Sequence, residues 1–263
     1  MILLFLPPMR SESREFWEGQ WESQARDPFP LLTNSYDVMD RVQAERIARL
    51  LTSPGGRLLE VGCGQASVSR HLAQGGMAAV GVDYSGSALR VATRRWHGIG
   101  IKGRFCQAEG ERLPFPDDSF SCVISVGVLE HFEDPRAFLR ESVRVLLPGG
   151  LLYANVSPKK YKLISGLDCL RTLVGRPQMT MFEMPFTDAD VLAFLRDVGL
   201  TGVTAYYAGV FPPRAPFLRQ RWWIRKLESL ASTVLGPPMA RLDGSILARW
   251  LGHYIFAYGY KPQ

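Results

Sequence analysis

Apolar residues recur at helical spacing over residues 37–51, where Val38, Met39, Val42, Ile47, Leu50 and Leu51 share one face until SPGG at 53–56 stops the pattern. Beyond it, short apolar runs alternate with helical patterns. Strands are expected at 57–62, 78–83, 103–109, 120–127, 151–157, 201–209 and 253–261. Helices are expected at 67–76, 87–96 and 134–146, the last with Asp134 as N-cap and Pro135 in its first position. Thr187 and Asp190 form a capping box at the start of TDADVLAFLRDVG. Strands alternating with helices at this rhythm predict an α/β protein with a doubly wound, mostly parallel sheet. Residues 211–250 break the rhythm. They open on FPPRAPF, are interrupted by GPP at 236–238, and carry an amphipathic helical pattern over 217–235, so they read as a helical insertion before the last strand. The expected layout is a single domain over 1–263, with a helical extension at 1–52, a core at 53–210, the insertion at 211–250 and the final strand at 251–263.

Composition changes this picture little, and charge changes it locally. With 46% hydrophobic and 21% charged residues, the 263-residue chain is an ordinary globular one. No run reaches the roughly 18 apolar residues that a membrane span requires. The opening MILLFLPP has no basic residue before its apolar stretch and no small-residue cleavage site after it, so it does not read as a secretory leader and a cytoplasmic protein is expected. Cys63, Cys106, Cys122 and Cys169 are scattered, and so are the four histidines, so no metal or disulfide spacing is present. The net charge is +6. It is concentrated late in the chain, in Lys159, Lys160, Lys162, Arg171 and Arg176 against Asp168, and again in the basic 211–250 segment.

Chemistry enters where the first strand ends, at Glu60-Val61-Gly62-Cys63-Gly64-Gln65-Ala66. Glycines at alternate positions after a buried strand let the backbone turn sharply and approach a ligand closely, and the helix start that follows offers free amides. Asp83 closes the second strand, where a carboxylate accepts from two adjacent ribose hydroxyls. Together they point to a nucleoside cofactor; a tight turn and a solvated acid are the plainer account.

LLEVGCGQAS (58–67), VGVDYS (80–85), AEGERLPFPDDSFSCVIS (108–125), GVLEHFEDP (127–135) and RVLLPGG (144–150) follow in this order. As a set they resemble the class I S-adenosylmethionine-dependent methyltransferases, in particular the small-molecule branch that includes ubiquinone and menaquinone biosynthesis enzymes. The resemblance covers about residues 35–209 and resumes at the last strand. It implies a Rossmann-like, seven-stranded sheet with an antiparallel last strand, and S-adenosylmethionine as cofactor, with S-adenosylhomocysteine as product.

The resemblance also implies roles. Glu60, Gly62, Cys63 and Gly64 form the loop under the methionine part, Asp83 holds the ribose and Tyr84 lines the adenine pocket. Glu109, where the family usually has Asp, accepts from the adenine amino group beside the Gly110 amide. Ser125 and Val126 lie under the sulfonium. The third glycine of the loop is Ala66 here, which narrows packing but suits a helix start. Tyr36 either folds over the cofactor or packs elsewhere. His131 is either a general base for a protonated acceptor or a structural histidine. Some relatives bind a divalent metal beside this histidine through two acids, but Gly127 stands where the first acid would be, so no metal is expected.

The expected reaction is in-line methyl transfer to a small-molecule or lipid-like acceptor, which demands alignment more than acid–base chemistry. Two other readings stand beside it. A nucleic-acid methyltransferase is favoured by the pI near 9.3. It is opposed by VGVLEHF after the fourth strand, where amino-group enzymes of that class carry Asn/Asp-Pro-Pro-aromatic; NVSP at 155–158 follows the wrong strand. The third is a non-catalytic cofactor-binding protein on the same fold. For 211–250, with Trp222, Trp223 and Trp250 among its arginines, two accounts stand: a lid helix with a solvated basic face, or a surface for a hydrophobic acceptor and, peripherally, an anionic membrane. The identity of the acceptor and the oligomeric state are not written in the sequence.

Overall fold

The computed structural model describes residues 11–26, 35–53, 55–132, 134–158, 184, 186–209, 230, 234–236 and 238–263. The helical pattern at 217–235 lies almost wholly outside them, as do Trp222, Trp223 and the basic cluster at 159–176.

Seven strands form one sheet in the order β3-β2-β1-β4-β5-β7-β6. They are β1 (Arg57–Val61), β2 (Ala78–Asp83), β3 (Arg104–Gln107), β4 (Phe120–Val126), β5 (Leu146–Val156), β6 (Thr201–Ala208) and β7 (Tyr254–Tyr260). β1 to β5 pair in parallel, and β7 runs antiparallel to both β5 and β6. The helices are α1 (Ser11–Arg26), α2 (Ser35–Leu50), α3 (Ser67–Gln74), α4 (Gly86–Gly98), α5 (Arg136–Val145), α6 (Asp188–Asp197) and α7 (Ile246–Leu251).

The continuous apolar runs of the central strands are explained by burial on both faces. Leu59, Val61, Val123 and Leu152 face a core completed by Phe138 and Leu139 of α5 and Leu195 of α6. Leu58, Ile124, Leu151 and Tyr153 face the opposite core, with Ile47 of α2, Leu72 of α3 and Trp96 of α4. The Thr187–Asp190 capping box opens α6 as expected.

Two local expectations shift. Pro135, not Asp134, is the N-cap of α5; the Asp134 carboxylate still accepts from the Arg136 amide at 3.0 Å, one residue out of register with the predicted cap. The helix-breaking LLPGG does not separate α5 from a later strand either: β5 begins at Leu146, and the extra residues are absorbed in a register shift opposite Phe120 and Cys122.

α1 was not resolved as a separate element by the hydrophobic pattern. It packs on α4, where the Ser87 hydroxyl donates to the Glu18 carboxylate at 2.6 Å. Across the sheet, Arg46 of α2 forms a buried ion pair with Asp243, whose second oxygen accepts from the Gly209 amide at 2.8 Å. That tie fixes the residues leading into α7 against the body of the protein.

Candidate functional site

The strand order reverses between β1 and β4, so the carboxyl ends of the strands open a crevice there, the usual ligand position in doubly wound sheets. A cleft of about 670 Å³ lies at that edge.

Its floor on the β1 side is a tight backbone turn. Gly62 (φ 69°) and Gly64 (φ 50°) are both left-handed. A Cβ on Gly62 would lie 2.5 Å from a Val128 methyl, and one on Gly64 2.7 Å from the Trp21 ring, so any larger residue would fill the space between strand end and cover. Ala66 is left-handed too (φ 54°). Glycine at that position would therefore relieve backbone strain of about 1–2 kcal/mol; the narrowed packing expected from the extra methyl is the lesser effect.

Asp83 braces this turn to the next one. One carboxylate oxygen accepts from the Gly64 amide at 2.8 Å and the other from the Ser85 amide at 2.9 Å. Burial pushes its pKa up, while the two amides pull the other way. Asp83 also lines the cleft, and a carboxylate offers about four acceptor sites, so capacity remains for a ribose hydroxyl. Glu60 is also buried and accepts from the Ser69 amide at 3.2 Å and from the Ser69 hydroxyl. Its pKa is pushed up to about 8, chiefly by burial, with Asp40 and Asp83 adding repulsion. Cys63 lines the cleft as a buried thiol, and its burial beside those acids raises its pKa well above the ordinary value, which suits a packing role and not a nucleophile.

The adenine-side candidates are held by α1. Arg14 forms a two-pronged ion pair with Glu109 at 2.8 and 2.6 Å and lies over the Tyr84 ring, 5.4 Å from its centre. The Glu109 carboxylate expected to accept from adenine thus already has a cationic partner. Gly110 lines the cleft through its backbone, while the place of its missing Cβ is taken by Phe138 of the core.

At the end of β4 the two candidates part. Val126 lines the cleft; Ser125 is buried behind it, its hydroxyl without a hydrogen-bond partner among the described residues. The chain then passes Gly127 into a single 3₁₀ turn, Leu129–His131. Glu130 fastens this turn to β5 by accepting from the Ser157 amide at 3.1 Å. His131 is buried against the cleft wall with the Trp17 ring edge-on, centroids 5.6 Å apart. Among the described residues no group of three or more His, Cys, Asp or Glu side chains stands close enough to hold a metal ion. Tyr36 falls in the first turn of α2, and its side chain lies outside the described residues.

Several cleft residues were not anticipated: Trp17 and Trp21 from α1, Met39 and Gln43 from α2, Asn155 from β5 and Tyr254 from β7. The tryptophans carried a usable signal, two indoles four apart beside Phe16 in a largely polar stretch, which places them on one helix face. The cleft combines these aromatic rings with the acids Asp40, Glu60, Asp83, Glu109 and Glu130 and with Arg95, a lining suited to a flat, partly apolar ligand with polar groups.

The Methyltransferase domain family matches residues 59–154, which spans β1 through most of β5. A ubiquinone biosynthesis O-methyltransferase of Xanthomonas euvesicatoria is 30% identical over 172 residues, covering 62% of this chain and 70% of that protein. The Ruegeria pomeroyi protein of the same name is 33% identical over 153 residues, 57% of this chain and 61% of its own length. A fatty-acid O-methyltransferase of Mycolicibacterium smegmatis is 35% identical over 108 residues, 40% of this chain and 39% of that one. The chain therefore spans less than two thirds of the length of several curated relatives that it matches. In fold it is similar to the crystal structure of an S-adenosylmethionine-dependent methyltransferase, possible histamine N-methyltransferase, from Thermotoga maritima, with a TM-score of 0.63 and 17% identity over 96% of this chain and 100% of that one. The seven-stranded sheet, the glycine turn at its switch point and these sequence matches agree: the chain belongs to the S-adenosylmethionine-dependent methyltransferase family.

Proposed function

We propose that the protein transfers the methyl group of S-adenosylmethionine to an oxygen of a small-molecule or lipid-like acceptor. The observation that carries the reading is the Asp83 brace: a buried carboxylate that lines the cleft and holds both turns at the switch point of the sheet. The oxygen acceptor rests on the relatives whose names specify O-methylation in ubiquinone biosynthesis or of fatty acids.

In this reading Glu60, Gly62, Cys63 and Gly64 lie under the methionine part, and Asp83 orients the ribose. Tyr84, Glu109 and Gly110 bound the adenine, with Arg14 exchanging its hold on Glu109 for the base. Val126 lies at the sulfonium with Ser125 behind it. The sulfonium supplies a preactivated methyl group, so the protein's task is to hold the acceptor oxygen in line and exclude water. His131, in the wall of the same cleft, removes the acceptor proton if it arrives protonated. Incubation with methyl-labelled S-adenosylmethionine and an extract of the source cells, followed by separation of labelled products, tests the reading; binding of the cofactor with no labelled product from any fraction would leave a non-catalytic binding protein.

Peripheral contact with an anionic membrane through 211–250 belongs to the same reading. In its described part, Ile246 is 81% and Trp250 74% exposed, beside the exposed Arg249, a mixture that suits a lipid interface. No helix among the described residues is long and apolar enough to cross a membrane. Co-sedimentation with anionic vesicles at low salt is expected and should weaken in Trp250→Ala; no binding at any salt concentration would remove this contact.

A further inference from the structure

The cleft wall away from the cofactor turns holds polar side chains that the methyl-transfer scheme does not use, and Asn155 is one of them. Asn155 lies at the carboxyl end of β5, 1% exposed, and lines the cleft. Its backbone carbonyl accepts from the Gly127 amide at 2.9 Å, which locks it beside the end of β4. Its side-chain amide donates to Gln43 Oε1 of α2 at 3.1 Å, and Gln43 is itself 3% exposed. The carboxamide oxygen, Oδ1, meets no hydrogen-bond donor among the described residues. Two carboxamides pair through one donor and one acceptor, so whichever way the pair is turned one polar atom of Asn155 remains over; in the observed sense it is Oδ1.

A buried amide with half of its capacity unused lowers stability, and an apolar pair at 43 and 155 would hold α2 to β5 without that penalty. Its position gives the unused atom a purpose. β1, β4 and β5 are neighbours, and strands lie about 4.8 Å apart, so the end of β5 is roughly 10 Å from the glycine turn of β1. A ligand seated over β1 and β2 presents its reactive end above β4, and the next group along the cleft meets Asn155.

We propose that Asn155, oriented by Gln43, is the acceptor-binding residue that reads a hydroxyl group: Oδ1 accepts from a hydroxyl of the methyl acceptor. The substrate class is thereby narrowed, within the methyl-transfer reading on which this rests, to hydroxyl-bearing molecules, and acceptors without a hydrogen-bond donor are disfavoured because they leave Oδ1 buried and unpaired.

The test compares wild type with the double variant Gln43→Met/Asn155→Leu, which removes both carboxamides at similar volume. Three quantities are read: Tm, S-adenosylhomocysteine affinity by calorimetry, and label transferred to a lipid extract of the source cells. The double variant should have an unchanged or higher Tm, keep S-adenosylhomocysteine affinity within about twofold, and lose roughly tenfold or more of the transfer at low extract concentration, as loss of one hydrogen bond to substrate implies. A Tm lower by more than about 5 °C would make the pair a structural tie and overturn the proposal. So would transfer equal to wild type. A wild type that fails to bind S-adenosylhomocysteine overturns the methyl-transfer reading itself, which is a separate outcome from a wild type that labels the extract no better than the double variant.

Discussion

The two ends of the cleft are built in different ways. The β1–β2 end is made of backbone: two left-handed glycines and a carboxylate that binds the Gly64 and Ser85 amides, all within 25 residues of chain. The β4–β5 end is made of side chains delivered by distant elements, with Trp17 from α1, Gln43 from α2, His131 from a 3₁₀ turn, Asn155 from β5 and Tyr254 from β7. In the proposed methyl-transfer reading, the difference follows from what each end has to do. A site for a shared cofactor is specified by main-chain geometry that tolerates few alternatives. A site for a particular acceptor is assembled from side chains, each of which can be exchanged without disturbing the turn.

The contrast can be broken by single substitutions. The largest effect is expected at the side-chain end: His131→Ala should lower turnover by about 100-fold or more if the acceptor arrives protonated, as removal of a general base does, while S-adenosylhomocysteine affinity stays near wild type. Wild-type turnover in steady-state kinetics would reduce His131 to a packing partner of Trp17. At the backbone end, Asp83→Ala should weaken S-adenosylhomocysteine binding by about 10- to 100-fold, the equivalent of roughly 1.5–3 kcal/mol for a charged hydrogen bond. Calorimetry giving equal affinity in the two proteins would remove Asp83 from the site.

The third effect is a slope. Glu60 has a pKa raised to about 8 in the folded protein against an ordinary 4.5, so the folded state holds a proton that the unfolded state releases first. Stability is then full below about pH 4.5 and falls as pH rises from there to about 8, by at most ~1.4 kcal/mol per pH unit. Glu60→Gln, neutral at every pH and nearly the same shape, should flatten that part of the profile. Thermal melts between pH 5 and 8 that slope equally in both proteins would place the titration elsewhere.

The same contrast explains what could be read from the sequence. β1, β2, β4 and α6 announced themselves through apolar runs, glycine turns and the Thr187–Asp190 capping box, because local backbone requirements leave local marks. Gly62, Gly64 and Asp83 were legible as cleft residues for the same reason. Asn155 and Gln43 were not, since they meet across 112 positions and nothing in either neighbourhood predicts the other. Glu109 was found as a cleft acid, but its partner Arg14 sits on a helix whose polar sequence gave only the paired tryptophans as a hint. Ala66 was read as a packing compromise and proved to be a conformational one, because only the backbone angle shows which property of glycine the position uses.

The Asp83 brace has a further consequence, in entropy. Fixing the backbone of a residue costs about 1–2 kcal/mol, and a binding loop left loose would draw that cost from every binding event. Here one carboxylate holds the amides of Gly64 and Ser85, and the Cys63 amide adds a bond to the Val82 carbonyl at 2.9 Å, so the turns are ordered when the chain folds. Ligand contacts made there carry no further cost for ordering these turns.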